Sequence, residues 1–286
     1  MKIKNLALGG GGIFGYAEIG ALSELEKYDE YIEIESITGT SVGSIVAGLW
    51  AVGYSMDELI KIIFDFDFEA LIKDAYVPPY NLYEYFGMYE AKKLEEKIEE
   101  LIEQKTHIKN CTFSQIDKDL TVVVTNINQQ KAYFCNKETF PDLPISKAIR
   151  MSAGYPIIMI PVKYNDDYWG DGGDCLNYPI TRYTDLDKTI GITFAAYNEN
   201  MDGTLKNKVI ISDIYEYVIS LATTFSRSAY IAQITPEYFK RSIVVQITEP
   251  VSSTQFNITN EQKKKIFDCG VTSVKEQINA ILGIKN

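Results

Sequence analysis

The sequence predicts an α/β fold built on a central, mostly parallel sheet, and three observations predict it. A short apolar run, Ile3 to Leu8, ends in four consecutive glycines, Gly9 to Gly12, and leads into a helical stretch. A second strand, Ile32 to Thr38, breaks at Gly39 into the small-residue helix SVGSIVAGLWAVG. Strand, glycine turn and helix occurring twice in succession is the grammar of βαβ units. The third observation is LTVVVTNI (120–127), a continuous apolar run of the kind that is buried on both faces of a parallel sheet.

The remaining elements follow in order. Residues 15 to 27 place Ile19, Leu22 and Leu25 on one helical face. Met56 to Leu71 repeats apolar residues at helical spacing, with Leu59, Ile62, Ile63 and Phe66 among them. Pro78-Pro79 and the aromatic stretch YNLYEYFGMY (80–89) form an irregular segment. AKKLEEKIEELIEQK turns Leu94, Ile98, Leu101 and Ile102 inward and Glu–Lys pairs outward. KAYFC (131–135) neighbours the central strand, and Tyr168-Trp169, Ile190 to Phe194 and Ile243 to Ile247 are further strands. Helical patterns run over 209–232 and 260–282. No linker or repeat divides the chain, so 1–286 reads as a single domain. Within it, 56–110 is expected to form a helical lid or insert, and 200–286 C-terminal helices plus one strand.

Bulk composition narrows the function. With 286 residues, 46% hydrophobic and 23% charged, the chain can bury a large core. Twenty-eight basic against 39 acidic residues give a formal charge of −11. That balance argues against nucleic acid as a partner and against simple electrostatic docking on anionic lipid. Four scattered cysteines without C-x-x-C spacing read as reduced thiols. The N-terminus lacks the pattern of a secretory signal, and no run approaches the roughly 20 apolar residues of a transmembrane helix. The expectation is a cytoplasmic protein with transient, peripheral contact at membrane surfaces.

Two glycine turns carry chemistry. Gly10, Gly12 and Gly15 fit G-x-G-x-x-G, which suits a dinucleotide or a ring of backbone N–H donors for an oxyanion. Gly39-Thr40-Ser41-Val42-Gly43 fits G-x-S-x-G where a strand meets a helix, the setting of a nucleophile elbow. A helix-capping role for Ser41 is the plainer alternative. The lone histidine, His107, ends a charged helix and reads as a solvated surface residue, so a Ser-His-Asp triad is not expected. A carboxylate is offered instead by DDYWGDGGD, where Asp171 lies between Gly170 and Gly172 at a strand end. A plain Asp-Gly turn competes with that reading, whereas a calcium loop is excluded by Trp169 at a ligand position.

Taken together and in this order, the glycine loop, G-x-S-x-G and D-G-G resemble the patatin-like phospholipase family. SKAIRMSAGYPIIMIPV (146–162) and the Asn177 and Pro179 that follow the aspartate resemble it too, over residues 3–195. The resemblance implies a three-layer α/β/α fold and a lipid acyl hydrolase acting on lipid or acyl-ester substrates. It implies a Ser41 nucleophile, an Asp171 base and an oxyanion hole at Gly10, Gly11 and Gly12. Gly15, Gly39, Gly43 and Gly172 support the motifs, and no cofactor or metal is called for. One departure is Phe14, where the family usually carries Arg or Lys, so neutral esters are favoured over a strong phospholipid preference. The competing readings are a catalytically silent lipid-binding or scaffolding member and a dinucleotide-binding protein using Glu33 or Glu35 for the ribose. Met56 to Met88 is the expected lid or acyl-binding wall.

Overall fold

The computed structural model describes residues 2–74 and 82–284. β1 (Ile3–Leu8) passes through the glycine loop into α1 (Gly15–Leu25), and β2 (Ile32–Thr40) passes through Ser41 into α2 (Val42–Ala51). Next come α3 (Met56–Asp65), α4 (Phe68–Ile72), α5 (Leu82–Tyr85), β3 (Gly87–Tyr89) and α6 (Lys92–Thr106). β4 (Asp119–Asn126), β5 (Lys131–Cys135) and α7 (Ile145–Ser152) lead to the short strands β6 (Ile157–Met159), β7 (Val162–Tyr164) and β8 (Asp167–Asp171). The chain closes with α8 (Gly173–Leu176), β9 (Thr189–Ala195), α9 (Ile214–Gln233), α10 (Pro236–Phe239), β10 (Ser242–Gln246) and α11 (Asn260–Leu282).

β10, β9, β1, β2 and β4 run parallel in that order, and β5, β8 and β7 add antiparallel pairings. The register around β4 positions the site. β5 covers one edge of β4 from Val122 to Asn126. On the other edge β2 pairs up to Thr40↔Val123, and β8 takes over from Val124↔Asp171. Two strands running in opposite directions therefore end against each other on one edge of β4, bringing Ser41 and Asp171 together.

The sheet's two faces differ because side chains alternate along each strand. Leu6, Leu8, Ile37, Leu120, Val122, Val124, Ile190, Ile192, Ile243 and Val245 join the main core with residues of α1, α2, α3, α6, α7 and α11. The opposite face is lined by small and hydroxylated residues such as Ala7, Ser36, Thr38 and Ser242. Tyr183 meets Ser36 and Thr38 there at 3.1 and 2.9 Å, and Tyr178 donates to Ser242 at 2.7 Å. Tyr178, Ile180, Tyr183 and Tyr230 form a second, smaller cluster over that face. A sheet of mostly parallel strands flanked by helices is thus the observed architecture.

Some element boundaries differ from the sequence reading. Gly39 does not end β2; it pairs with both Leu8 and Val122, and the chain turns only at Ser41. The helical pattern over 56–71 is broken at Phe66 (φ −67°, ψ 123°), after which the Asp67 carboxylate accepts the Ala70 N–H at 3.0 Å and starts α4. α9 begins at Ile214, where Asp213 accepts the Glu216 N–H at 2.8 Å, and 209–213 stay outside it. The expected lid divides in the same way. Leu59 and Ile63 of α3 are buried in the main core, while residues 75–81, with Pro78-Pro79 and Tyr80, lie outside the described residues.

Candidate active site

Ser41 occupies the turn between β2 and α2 with φ 54° and ψ −123°, a conformation that L side chains rarely adopt. Its neighbours explain how the turn is held. A Cβ at Gly39 would collide with the Gly43 carbonyl, and one at Gly43 would stand 2.7 Å from the Leu8 carbonyl oxygen. Only glycine at both positions lets the elbow close against β1. The Ser41 carbonyl accepts the Ser44 N–H at 2.9 Å and the Ser44 hydroxyl at 2.6 Å, and the Ser41 N–H donates to Ser152 Oγ at 2.9 Å.

The Ser41 hydroxyl donates to Asp171 Oδ2 at 2.9 Å, while Asp171 Oδ1 accepts the Gly173 N–H at 2.7 Å. Asp171 is only 4% exposed. Burial pushes its pKa above the ordinary carboxylate range, against the two hydrogen bonds, which favour the ionised form. Asp174, on the same cavity, is also pushed upward, first by burial and then by the charge of Asp171.

The glycine loop lies on the other side of Ser41. A Cβ at Gly10 would stand 3.1 Å from Ser41 Cβ, so the absence of side chains allows this approach. The Gly10 N–H donates to the Asn177 carbonyl at 2.9 Å, and Asn177 Nδ2 returns a bond to the Gly10 carbonyl at 3.2 Å. The Gly10 N–H that the sequence reading assigned to an oxyanion is thus engaged within the protein. Among the described residues the N–H groups of Gly11 and Gly12 have no protein acceptor, and Gly12 holds φ 54°.

Ser41, Asp171, Gly173, Asp174, Asn177 and Gly10 to Gly12 border one cavity. Phe14, Val42, Ile45, Phe68, Ile72, Leu94 and Met159 supply apolar wall, and Glu199, Arg227 and Tyr230 a polar one. Arg227 pairs with Glu199 and donates to the Gly203 carbonyl at 2.7 Å. Phe14 is buried against Phe194, ring centroids 5.9 Å apart.

A hydroxyl on a strained elbow, a buried carboxylate accepting its proton and two open amides can together support acyl transfer. The sequence profile described as "Patatin-like phospholipase" matches residues 6–182, which include the elbow, the aspartate and the glycine loop. The chain belongs to the patatin-like phospholipase family. "Uncharacterized protein R571" of Acanthamoeba polyphaga mimivirus is 55% identical over 281 residues, spanning 97% of this chain and 94% of its own. "Probable lipid hydrolase 463L" of Invertebrate iridescent virus 6 is 29% identical over 181 residues, 62% of each chain. The solved structure of VipD from Legionella pneumophila superposes with TM-score 0.67 at 15% identity, covering 98% of this chain and 67% of that one. Membership of this family supports lipid hydrolysis as the general activity.

The other sequence-predicted residues are sorted by position. His107 closes α6 at φ 59° and is exposed, away from the cavity. Glu33 and Glu35 pair with Lys2 at 3.2 Å and Lys4 at 2.6 Å, and neither borders the cavity. Gly15 and Gly172 permit close packing, against Val42 and against the Val123 carbonyl. Sequence reasoning missed Ser152, Asp174 and the Glu199–Arg227 pair. Asp174 carried one faint signal, its place one helical turn after Asp171.

Among the described residues no helix is long and apolar enough to cross a membrane.

Proposed function

We propose that this protein is a serine carboxylic-ester hydrolase of the phospholipase A or lysophospholipase type, cleaving fatty-acyl esters. The observation that carries the reading is the hydrogen bond from Ser41 Oγ to the buried Asp171 carboxylate, beside an apolar cavity wall. As Ser41 Oγ attacks the ester carbonyl carbon, its proton passes to Asp171 and the carbonyl π pair moves onto oxygen. The open amides of Gly11 and Gly12 receive that oxyanion, and losing one such donor costs on the order of 10²-fold in rate or more. Collapse expels the alcohol, which takes the proton from Asp171 and leaves acyl-Ser41. A water molecule then gives its proton to Asp171 and attacks the acyl carbon. The acid departs as the proton returns to Ser41 Oγ. The dyad needs no metal or cofactor for either half of this cycle.

The acyl chain lies along Phe14, Val42, Ile45, Phe68, Ile72 and Leu94. Phe14 contributes hydrocarbon where the family usually carries a cation, which favours acyl esters without dependence on a phosphate. The test is intact mass after exposure to a lipid-like fluorophosphonate. One adduct is expected on the wild type and none on Ser41→Ala, with labelling of Asp171→Asn slowed on the order of 10³-fold. A wild type that never labels would overturn the nucleophile assignment and favour a lipid-binding member that keeps the fold.

A further inference from the structure

Helix α9 presents two unlike faces. Ala222, Thr223, Ser226, Arg227 and Tyr230 line the cavity. That inner face is tied down by Ser226 Oγ donating to the Gly173 carbonyl at 2.7 Å and Gln233 Nε2 donating to the Cys175 carbonyl at 3.0 Å. The outer face is bare hydrocarbon. Ile214, Tyr217, Leu221 and Phe225 recur every three or four residues, and Ile214 and Phe225 are 76% and 63% exposed. Just before the helix, Val209, Ile210 and Ile211 continue the patch, with Ile210 80% exposed. Contiguous exposed apolar surface of this kind marks an interaction site in a soluble chain.

The charge pattern and the cavity indicate which partner. Residues 203–226 carry Lys206 and Lys208 against Asp213 and Glu216, so this stretch is neutral in a chain of charge −11. Both acids are engaged locally: Asp213 caps the helix, and Glu216 accepts the Ser212 N–H at 2.8 Å and its hydroxyl at 2.6 Å. The patch is thus freed of the repulsion that the rest of the surface would feel near a lipid headgroup layer. On the ester-hydrolase reading above, the substrate must leave a bilayer for the cavity. Passing its chains through water would cost about 0.8 kcal/mol for each CH₂. The helix that carries the bare face also walls that cavity, so a protein held by this face keeps its cavity about one helix diameter from the lipid surface. We infer that Val209 to Ile211 and the outer stripe of α9 dock on a phospholipid bilayer, holding the cavity close to it.

The experiment is flotation of the full chain with phosphatidylcholine vesicles, comparing the wild type with Ile214→Ser/Leu221→Ser/Phe225→Ser. The wild type floats, and the triple variant shows a bound-to-free ratio lower by about tenfold or more. Fluorophosphonate labelling of Ser41 and hydrolysis of a monomeric short-chain ester stay unchanged, which also shows that the variant is folded. Separately, Phe225→Trp gains a blue-shifted emission component on vesicles that the parent, with its own Trp50 and Trp169, does not show. Equal flotation of wild type and triple variant, or no flotation of the wild type, overturns the inference. So does a wild-type dimer, free of vesicles, that the triple variant converts to a monomer, because the face then belongs to a second copy. If flotation depends on the face but Ser41 never labels, docking stands and the hydrolase reading falls. Labelling and ester cleavage with face-independent flotation give the reverse result.

Discussion

Asp171 accepts one hydrogen bond on each carboxylate oxygen, from the Gly173 N–H and the Ser41 hydroxyl, so its plane is fixed with one lone pair on the serine. Burial raises its pKa and makes it a better base near neutrality than an exposed aspartate. In the proposed mechanism only the ionised form accepts the serine proton, so kcat/KM should climb with pH through a limb above the ordinary carboxylate range. Asp174 beside it is pushed higher still, first by its own burial and then by the Asp171 charge, so Asp171 is the one that ionises first. Asp174→Asn should therefore leave the acid limb in place, as a pH–rate profile on a soluble ester will show. A limb that moved to lower pH would mean that Asp174 is the charged partner while Asp171 titrates. Glu18 is a different case, fully buried on α1 with neither carboxylate oxygen hydrogen-bonded among the described residues. Burial raises its pKa well above the usual glutamate value of 4.5. The folded state then holds a proton that the unfolded state releases. The stability this gives is complete below about pH 4.5 and is lost as pH rises toward the folded-state pKa. Glu18→Met should raise the melting temperature at neutral pH and flatten its pH dependence, measured by thermal denaturation across the range.

Among the elements, α11 shows how closely the layers fit. Where it crosses α1, a Cβ at Gly20 would collide with the Phe267 carbonyl and one at Gly270 with the Ala17 carbonyl. Both obstacles are backbone, which cannot swing aside. Gly270→Ala should lower stability by about 2–3 kcal/mol, read from the denaturation midpoint. Labelling of Ser41 below the transition should be kept, since α11 contributes nothing to the cavity wall. The same helix also covers the sheet edge. Gln277 accepts the Val244 N–H at 3.0 Å and donates to the Val244 carbonyl at 2.9 Å, so a side-chain amide stands in for a missing strand on β10. On the opposite flank, α4 and α6 place Phe68, Ile72 and Leu94 on the cavity, while Ile98 and Ile102 of α6 remain in the core.

At the scale of the whole molecule, the charge of −11 sets the terms of any encounter with a surface. A polybasic protein leaves anionic vesicles as salt rises. This protein should do the opposite, binding anionic vesicles better at higher ionic strength because screening relieves repulsion while apolar contact persists; vesicle flotation across a salt series measures it. Falling binding with salt would assign the attraction to local basic residues instead. The sequence by itself determined the two glycine-bracketed turns and the α/β order, and it singled out Ser41 and Asp171 as candidates. Those features rest on backbone sterics within a few residues, where only glycine tolerates the contact that the turn demands. Only the tertiary structure decided that β2 and β8 meet end to end on one edge of β4, joining by a hydrogen bond two residues 130 positions apart. It also decided that Asn177 takes the Gly10 N–H, that Asp174 and Arg227 reach the cavity, and that one face of α9 stays bare. Helical periodicity shows that a face is apolar, but register and packing between distant segments decide what covers it.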